Sequence, residues 1–155
     1  MTRAEKYSTA SLITSALIFW FFQMRMLDGW EVVEQSAGAL VSLYITIVIL
    51  FIISEAIIAG FYSGPGQGGE VEKDERDLLI EKTAEQNSSW FTIAAINILI
   101  IHLLANSFFE GHAFPRIDLT SMSTLFFVLF SIMILSTIIA RASTLGYYIA
   151  QRVRS

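Results

Sequence analysis

Long apolar runs decide what this chain can fold into. Residues 41–53 are almost unbroken Val, Ile, Leu, Phe and Tyr. In water such a β-branched stretch could be a buried strand. At the length of residues 36–62, however, a helix is favoured, because only a helix satisfies its own backbone in hydrocarbon. Comparable runs occupy residues 8–24, 88–108 and 119–148. A membrane crossing takes roughly 20 residues, so the last run should project past the bilayer. Of the 155 residues only 15% are charged and 54% are hydrophobic, whereas a soluble domain carries about 25% charged residues. The expectation is all-α: a single-domain integral membrane four-helix bundle whose middle loop is residues 63–87. Residues 8–24 are read as a retained span, because the run is too long for a signal segment and no small-residue cleavage site follows it.

Lys and Arg set the orientation. Arg3 and Lys6 precede the first run, Lys73, Arg76 and Lys82 lie in the middle loop, and Arg152 and Arg154 close the chain. The loops after the first and third runs hold Arg25 and Arg116 alone. The positive-inside bias places both termini and the middle loop in the cytoplasm, and the protein in the cell (inner) membrane as a multi-pass chain. Tyr7, Tyr62, Trp90, Tyr147 and Tyr148 would form an aromatic belt at that face, and Trp30 an anchor at the other.

Composition excludes several functions. With no cysteine, thiolate catalysis, disulfides and cysteine-based metal sites are out. No large basic surface exists, so no nucleic-acid partner is expected. No cofactor or metal motif and no catalytic constellation is apparent.

The polar residues inside the apolar runs are the informative ones. Ser8, Ser11 and Ser15 recur at spacings of three and four, on one helical face. That stripe is placed inward, against another helix, although serine can equally bond its own backbone one turn back. Glu55 and Arg141 each lie roughly six or seven residues, or about 10 Å, inside the cytoplasmic ends of their runs. Equal depth and opposite charge point to an ion pair between the second and fourth segments. Such a pair is either a structural clamp or a proton or cation site; Arg141 could also snorkel alone to lipid phosphate. Asn97 and His102 sit in the third run. His102 is read as a proton-handling candidate or a hydrogen-bonded packing residue, and no metal partners stand at ligand spacing beside it.

The middle loop opens with Ser-Gly-Pro-Gly-Gln-Gly-Gly at 63–69, a flexible hinge. Acidic residues follow at 70, 72, 74, 75, 77, 81 and 85. Asp74 is placed as a helix N-cap, with Glu75 and Asp77 in the first turn, where the helix dipole favours them. The helix should run on without a breaker into the third span. Arg76, Asp77, Glu81 and Lys82 read either as a solvated, salt-laced face or as part of a surface that binds a soluble or membrane partner, with Leu78, Leu79 and Ile80 needing cover.

Asp-Glu-Arg-x-x-x-Ile at 74–80, opening a helix that feeds a third span, resembles a signature of an uncharacterised family of small prokaryotic four-span membrane proteins. The matching positions are Asp74, Glu75, Arg76 and Ile80. The family pattern carries a basic residue and Ala three and four positions after the Ile. Here those positions are Thr83 and Ala84, and the base stands at Lys82. The resemblance implies topology and a cytoplasmic middle loop.

Three functions are expected, in order. The first is a non-enzymatic regulatory or interaction role through the helix Asp74 to Lys82, with the chain lying in the lipid bilayer, as a homodimer. The second is a small proton- or cation-coupled transporter using Glu55 and Arg141. The third is a lipid-acting membrane enzyme whose loop acids hold a divalent cation.

Overall fold

The structure, a computed structural model, describes residues 2–62, 74–108 and 118–154, with the side chains of 106–108 and 154 excepted. The glycine-rich hinge, the acids at 70 and 72, and the third-loop residues His112 and Arg116 lie outside the described residues. Four helices dominate: α1 (Arg3–Met26), α2 (Ala37–Tyr62), α3 (Glu75–Phe108) and α4 (Met122–Arg154).

The sequence starts these helices with side-chain caps. Thr2 accepts from the Glu5 amide while Glu5 accepts from that of Thr2, a reciprocal capping box. Asp74 accepts from the Asp77 amide at 2.7 Å, and the Asp77 carboxylate accepts from the Asp74 amide at 3.4 Å. Glu75 and Asp77 occupy that first turn. Ser121 accepts from the Thr124 amide at 3.2 Å and begins α4. From Asp74 the helix continues unbroken to Phe108, so most of the expected middle loop is the first third of α3.

Residues 25–35, read as a simple loop, contain the only strands among the described residues. Leu27–Asp28 (β1) and Glu31–Val32 (β2) pair antiparallel, Leu27 opposite Val32 and Asp28 opposite Glu31. The two-residue turn needs a positive φ, and Gly29 supplies it at 64°. Two-residue strands carry no periodicity, which is why the sequence pattern conceals them.

Neighbouring helices run antiparallel. α1 and α4 form a central pair; α2 packs on α1 and α3 on α4, while α2 touches α4 only lightly. Among the described residues α2 and α3 share no extended interface, so the arrangement is more open than a closed ring of four. Cross-contacts define two ends. At the terminal end, Arg152 donates to Glu5 and the Tyr148 hydroxyl to Asp77. At the hairpin end, the Gln35 amide donates to Ser123 and the Ser121 hydroxyl to Glu34.

The main core lies toward the hairpin end. Ile18, Phe22 and Met26 of α1 meet Leu40, Leu43 and Ile47 of α2 and Phe130 and Ile134 of α4. Phe22 is at its centre, with ring centroids 5.1 to 6.1 Å from Phe126, Phe127 and Phe130. A smaller cluster at the terminal end joins Ala4, Ile80 and Tyr148. Outside these cores the molecule is apolar: Ile45, Ile49 and Ile52 of α2 and Ile93, Ile98 and Ile101 of α3 all face outward. Three helices are long and apolar enough to cross a membrane, over Ala37–Tyr62, Glu75–Ala105 and Met122–Val153. α1 is of spanning length but is diluted by Ser8, Thr9, Ser11, Thr14, Ser15 and Gln23, and falls outside that group.

Candidate functional site

The four helices converge on one polar cluster. Arg141 of α4 lies 3.6 Å from the Glu55 carboxylate of α2 and 3.9 Å from the Glu81 carboxylate of α3. Its guanidinium carbon also sits 5.3 Å from the centre of the Tyr7 ring of α1, within cation–π range. The Tyr7 hydroxyl donates to Glu55 Oε2 at 2.6 Å, and the Ser11 hydroxyl donates to Glu55 Oε1. Each helix therefore supplies at least one member.

Local sequence explains the convergence. Tyr7 and Ser11 are four residues apart on α1, hence stacked on one face. Ser8, Ser11 and Ser15 are all buried, at 4%, 0% and 1% exposure, and only small side chains let α1 come close enough for Glu55 to be reached. On α3, Asp77, Glu81 and Ala84 follow the same helical face that carries buried Ile80, so the face joined to the bundle is set from the first turn.

The Glu55 shell differs in kind from the Arg141 contacts. Glu55 makes its shortest bonds to two hydroxyls, and its ion pair is longer. A hydroxyl both donates and accepts, so Tyr7 and Ser11 can serve Glu55 as carboxylate or as carboxylic acid. Arg141 can only donate, and two carboxylates stand at nearly equal distance from it.

Beside Arg141 a half-enclosed cavity of about 230 Å³ opens between α3 and α4, lined by Glu81, Glu85, Ser88, Ser136, Thr137 and Thr144 among others. Polar bonding continues along this seam. Ser88 and Ser136 hydroxyls are 2.6 Å apart, Thr92 donates to Ser136 at 2.9 Å, and Asn87 donates to the Tyr147 hydroxyl at 3.3 Å.

The motif at 74–82 is divided between two faces. Asp77 receives the Tyr148 hydroxyl at 2.8 Å, Ile80 is buried against Ala4 and Tyr148, and Arg76 donates to Gln151 of α4. Glu75, Leu78, Leu79 and Lys82 face outward, with Leu78 55% and Leu79 67% exposed. Asn97 is exposed and gives its amide to its own helix, to the Ile93 carbonyl at 2.7 Å. His102 is partly buried on α3, some twenty residues beyond Glu81. Neither joins the cluster. No group of three or more His, Asp or Glu able to hold a metal occurs among the described residues.

Three residues of the cluster carry signals a sequence reading passes over. Glu81 looks like one acid of a solvated helical face until the side of α3 that packs on α4 is known. Tyr7 looks like a belt residue. Ser11 is visible only as one of a stripe. No family model matches the chain, and no curated protein or solved structure matches it.

Proposed function

We propose that the chain is a multi-pass protein of the cell membrane with four spans, its terminal end in the cytoplasm, and that the cluster of Tyr7, Ser11, Glu55, Glu81 and Arg141 is the proton- or cation-exchange centre of a small transporter. Three helices of spanning length support the membrane placement. α1 qualifies as the fourth because its polar stripe is buried, while Ile13, Leu17, Trp20 and Met24 face out. The Lys and Arg bias supports the orientation.

One observation carries the exchange reading: a guanidinium held between two carboxylates, one of which is solvated by hydroxyls that accept either protonation state. Protonation of Glu55 removes its attraction for Arg141 while leaving two hydrogen-bond partners in place. Arg141 then settles on Glu81. Deprotonation reverses the step. The cavity along α3 and α4 places further carboxylates and hydroxyls beside the cluster. Ionisable side chains within a span mark ion pathways by default, because they are costly to keep there otherwise.

The test is purified protein in liposomes under an imposed pH gradient, with an internal pH dye. Wild type is expected to dissipate the gradient and Glu55→Gln to lose that flux. A wild-type protein that moves neither protons nor alkali cations would overturn the reading.

A second reading rests on a different surface. Leu78 and Leu79 stand exposed between Glu75 and Lys82 on the outward face of α3, which suits an interaction or regulatory role toward a soluble partner. Replacing both leucines with Ser should release a co-purifying partner without altering insertion or flux.

A further inference from the structure

Resting on the exchange reading, we propose that Ser11 and Ser15 form the leg of the proton path that leads from Glu55 toward the hairpin end, joined by one water molecule bound at Ser15. Ser15 is 1% exposed, and its hydroxyl has no hydrogen-bond partner. Among the described residues the Ser131 hydroxyl shares this state, whereas most helical hydroxyls do not. Those of Thr9, Thr46, Thr83, Ser89 and Thr144 each bond the carbonyl four residues back. Ser15 lies deep between α1 and its neighbours without that bond, and leaving a buried hydroxyl unmatched is costly.

The spacing fits one water. Side chains four apart on a helix have β-carbons about 6 Å apart. Two hydrogen bonds of about 2.8 Å span the same gap. A buried water needs at least two polar partners, and Ser11 and Ser15 provide them. Ser11 already donates to Glu55 and keeps lone pairs free to accept.

Proton movement through this leg balances without any other reactant. With Glu55 protonated, Ser11 accepts from it and turns its own proton to the water; the Glu55 proton passes to Ser11 Oγ as that proton passes to the water. The hydroxyl then donates to Glu55 as it does in the structure, Glu55 is a carboxylate, and the excess proton is on the water between Ser11 and Ser15. Beyond Ser15 the path meets Ile18, Phe22, Ile47 and Ile134, each at most 7% exposed and without a polar side-chain atom. In the same half, the Ser131 hydroxyl and the Gln23 side-chain oxygen are also buried without a hydrogen-bond partner.

The experiment compares wild type, Glu55→Gln, Ser15→Ala and Ser15→Val in liposomes, with infrared spectra of the same samples in ordinary and ¹⁸O-labelled water. Ser15→Ala removes the hydroxyl and leaves room; Ser15→Val fills the room as well. The expected result is loss of flux and of an isotope-sensitive bound-water band in Ser15→Val, with Ser15→Ala intermediate. Flux lost in Glu55→Gln but unchanged in both Ser15 variants overturns the path and leaves the exchange centre standing. Wild type without flux overturns the exchange centre and the path with it; a water band that vanishes in Ser15→Val then supports the bound water alone, and a band that persists overturns that too.

Discussion

The two halves of the molecule are held together by different physics. Toward the hairpin end, α1, α2 and α4 meet mainly through the apolar side chains of Phe22, Ile47, Phe130 and Ile134. Toward the terminal end, the same helices and α3 meet through Tyr7, Ser11, Glu55, Glu81 and Arg141. Within lipid, apolar side chains gain nothing from leaving water, so the first half depends on dispersion and close fit. The second depends on hydrogen bonds and charge that lipid cannot replace.

The sharpest way to break the comparison is in the apolar half. Phe22→Ala removes a fully buried ring stacked on Phe127 and edge-on to Phe126 and Phe130 and should cost about 3 kcal/mol, read as a loss of stability in a bicelle unfolding assay. The proton response of Glu55 should survive wherever the variant remains folded. A smaller cost in the apolar half than in the polar half would reverse the assignment.

In the polar half, Arg141→Gln leaves two carboxylates without their shared cation. Both ion pairs are long and partly exposed, so a loss of about 2 kcal/mol is expected, below that for a fully buried pair. The reversal Glu55→Arg with Arg141→Glu should restore part of it. No recovery in the double variant, measured in the same assay, would show that Glu55 and Arg141 do not act on each other.

The smallest effect belongs to the turn before α4. Asp118 accepts from the Thr120 hydroxyl and from its amide at 3.0 Å, and these bonds hold its carboxyl below the usual Asp range. A depressed folded-state value means a stabilisation present above the unfolded value near pH ~4 and lost as pH falls through the folded one. Asp118→Asn should flatten that acid limb slightly without touching flux, followed by thermal melting across the acid range.

Much of this was legible in the residues. The apolar runs marked the helices, Asp74 announced the start of α3, and equal depth brought Glu55 and Arg141 together. What was not legible follows from how side chains are counted. Glu81 belongs to the site because the face of α3 that carries it packs on α4 beside Arg141, and which face of a helix meets a neighbour is not written in its own charges. Tyr7 and Ser11 reach Glu55 because α1 packs beside α2, a neighbour relation that periodicity in a single helix does not contain. The hairpin at Leu27 to Val32 is too short to alternate visibly. Arg76 and Asp77, read as part of a solvated or partner-binding face, each also make a bond to α4, to Gln151 and Tyr148, which no pattern within α3 contains.

The unbroken course of α3 makes it a lever. Its 34 residues form a rod of roughly 50 Å, seated along α4 and pinned to α1 only near Ile80. Arg141 tugs on this rod at Glu81, close to its pinned end. A tilt of about 5° there carries the opposite tip through roughly 4 Å, so on the proposed exchange reading a proton arriving at Glu55 would be felt at the far end of α3.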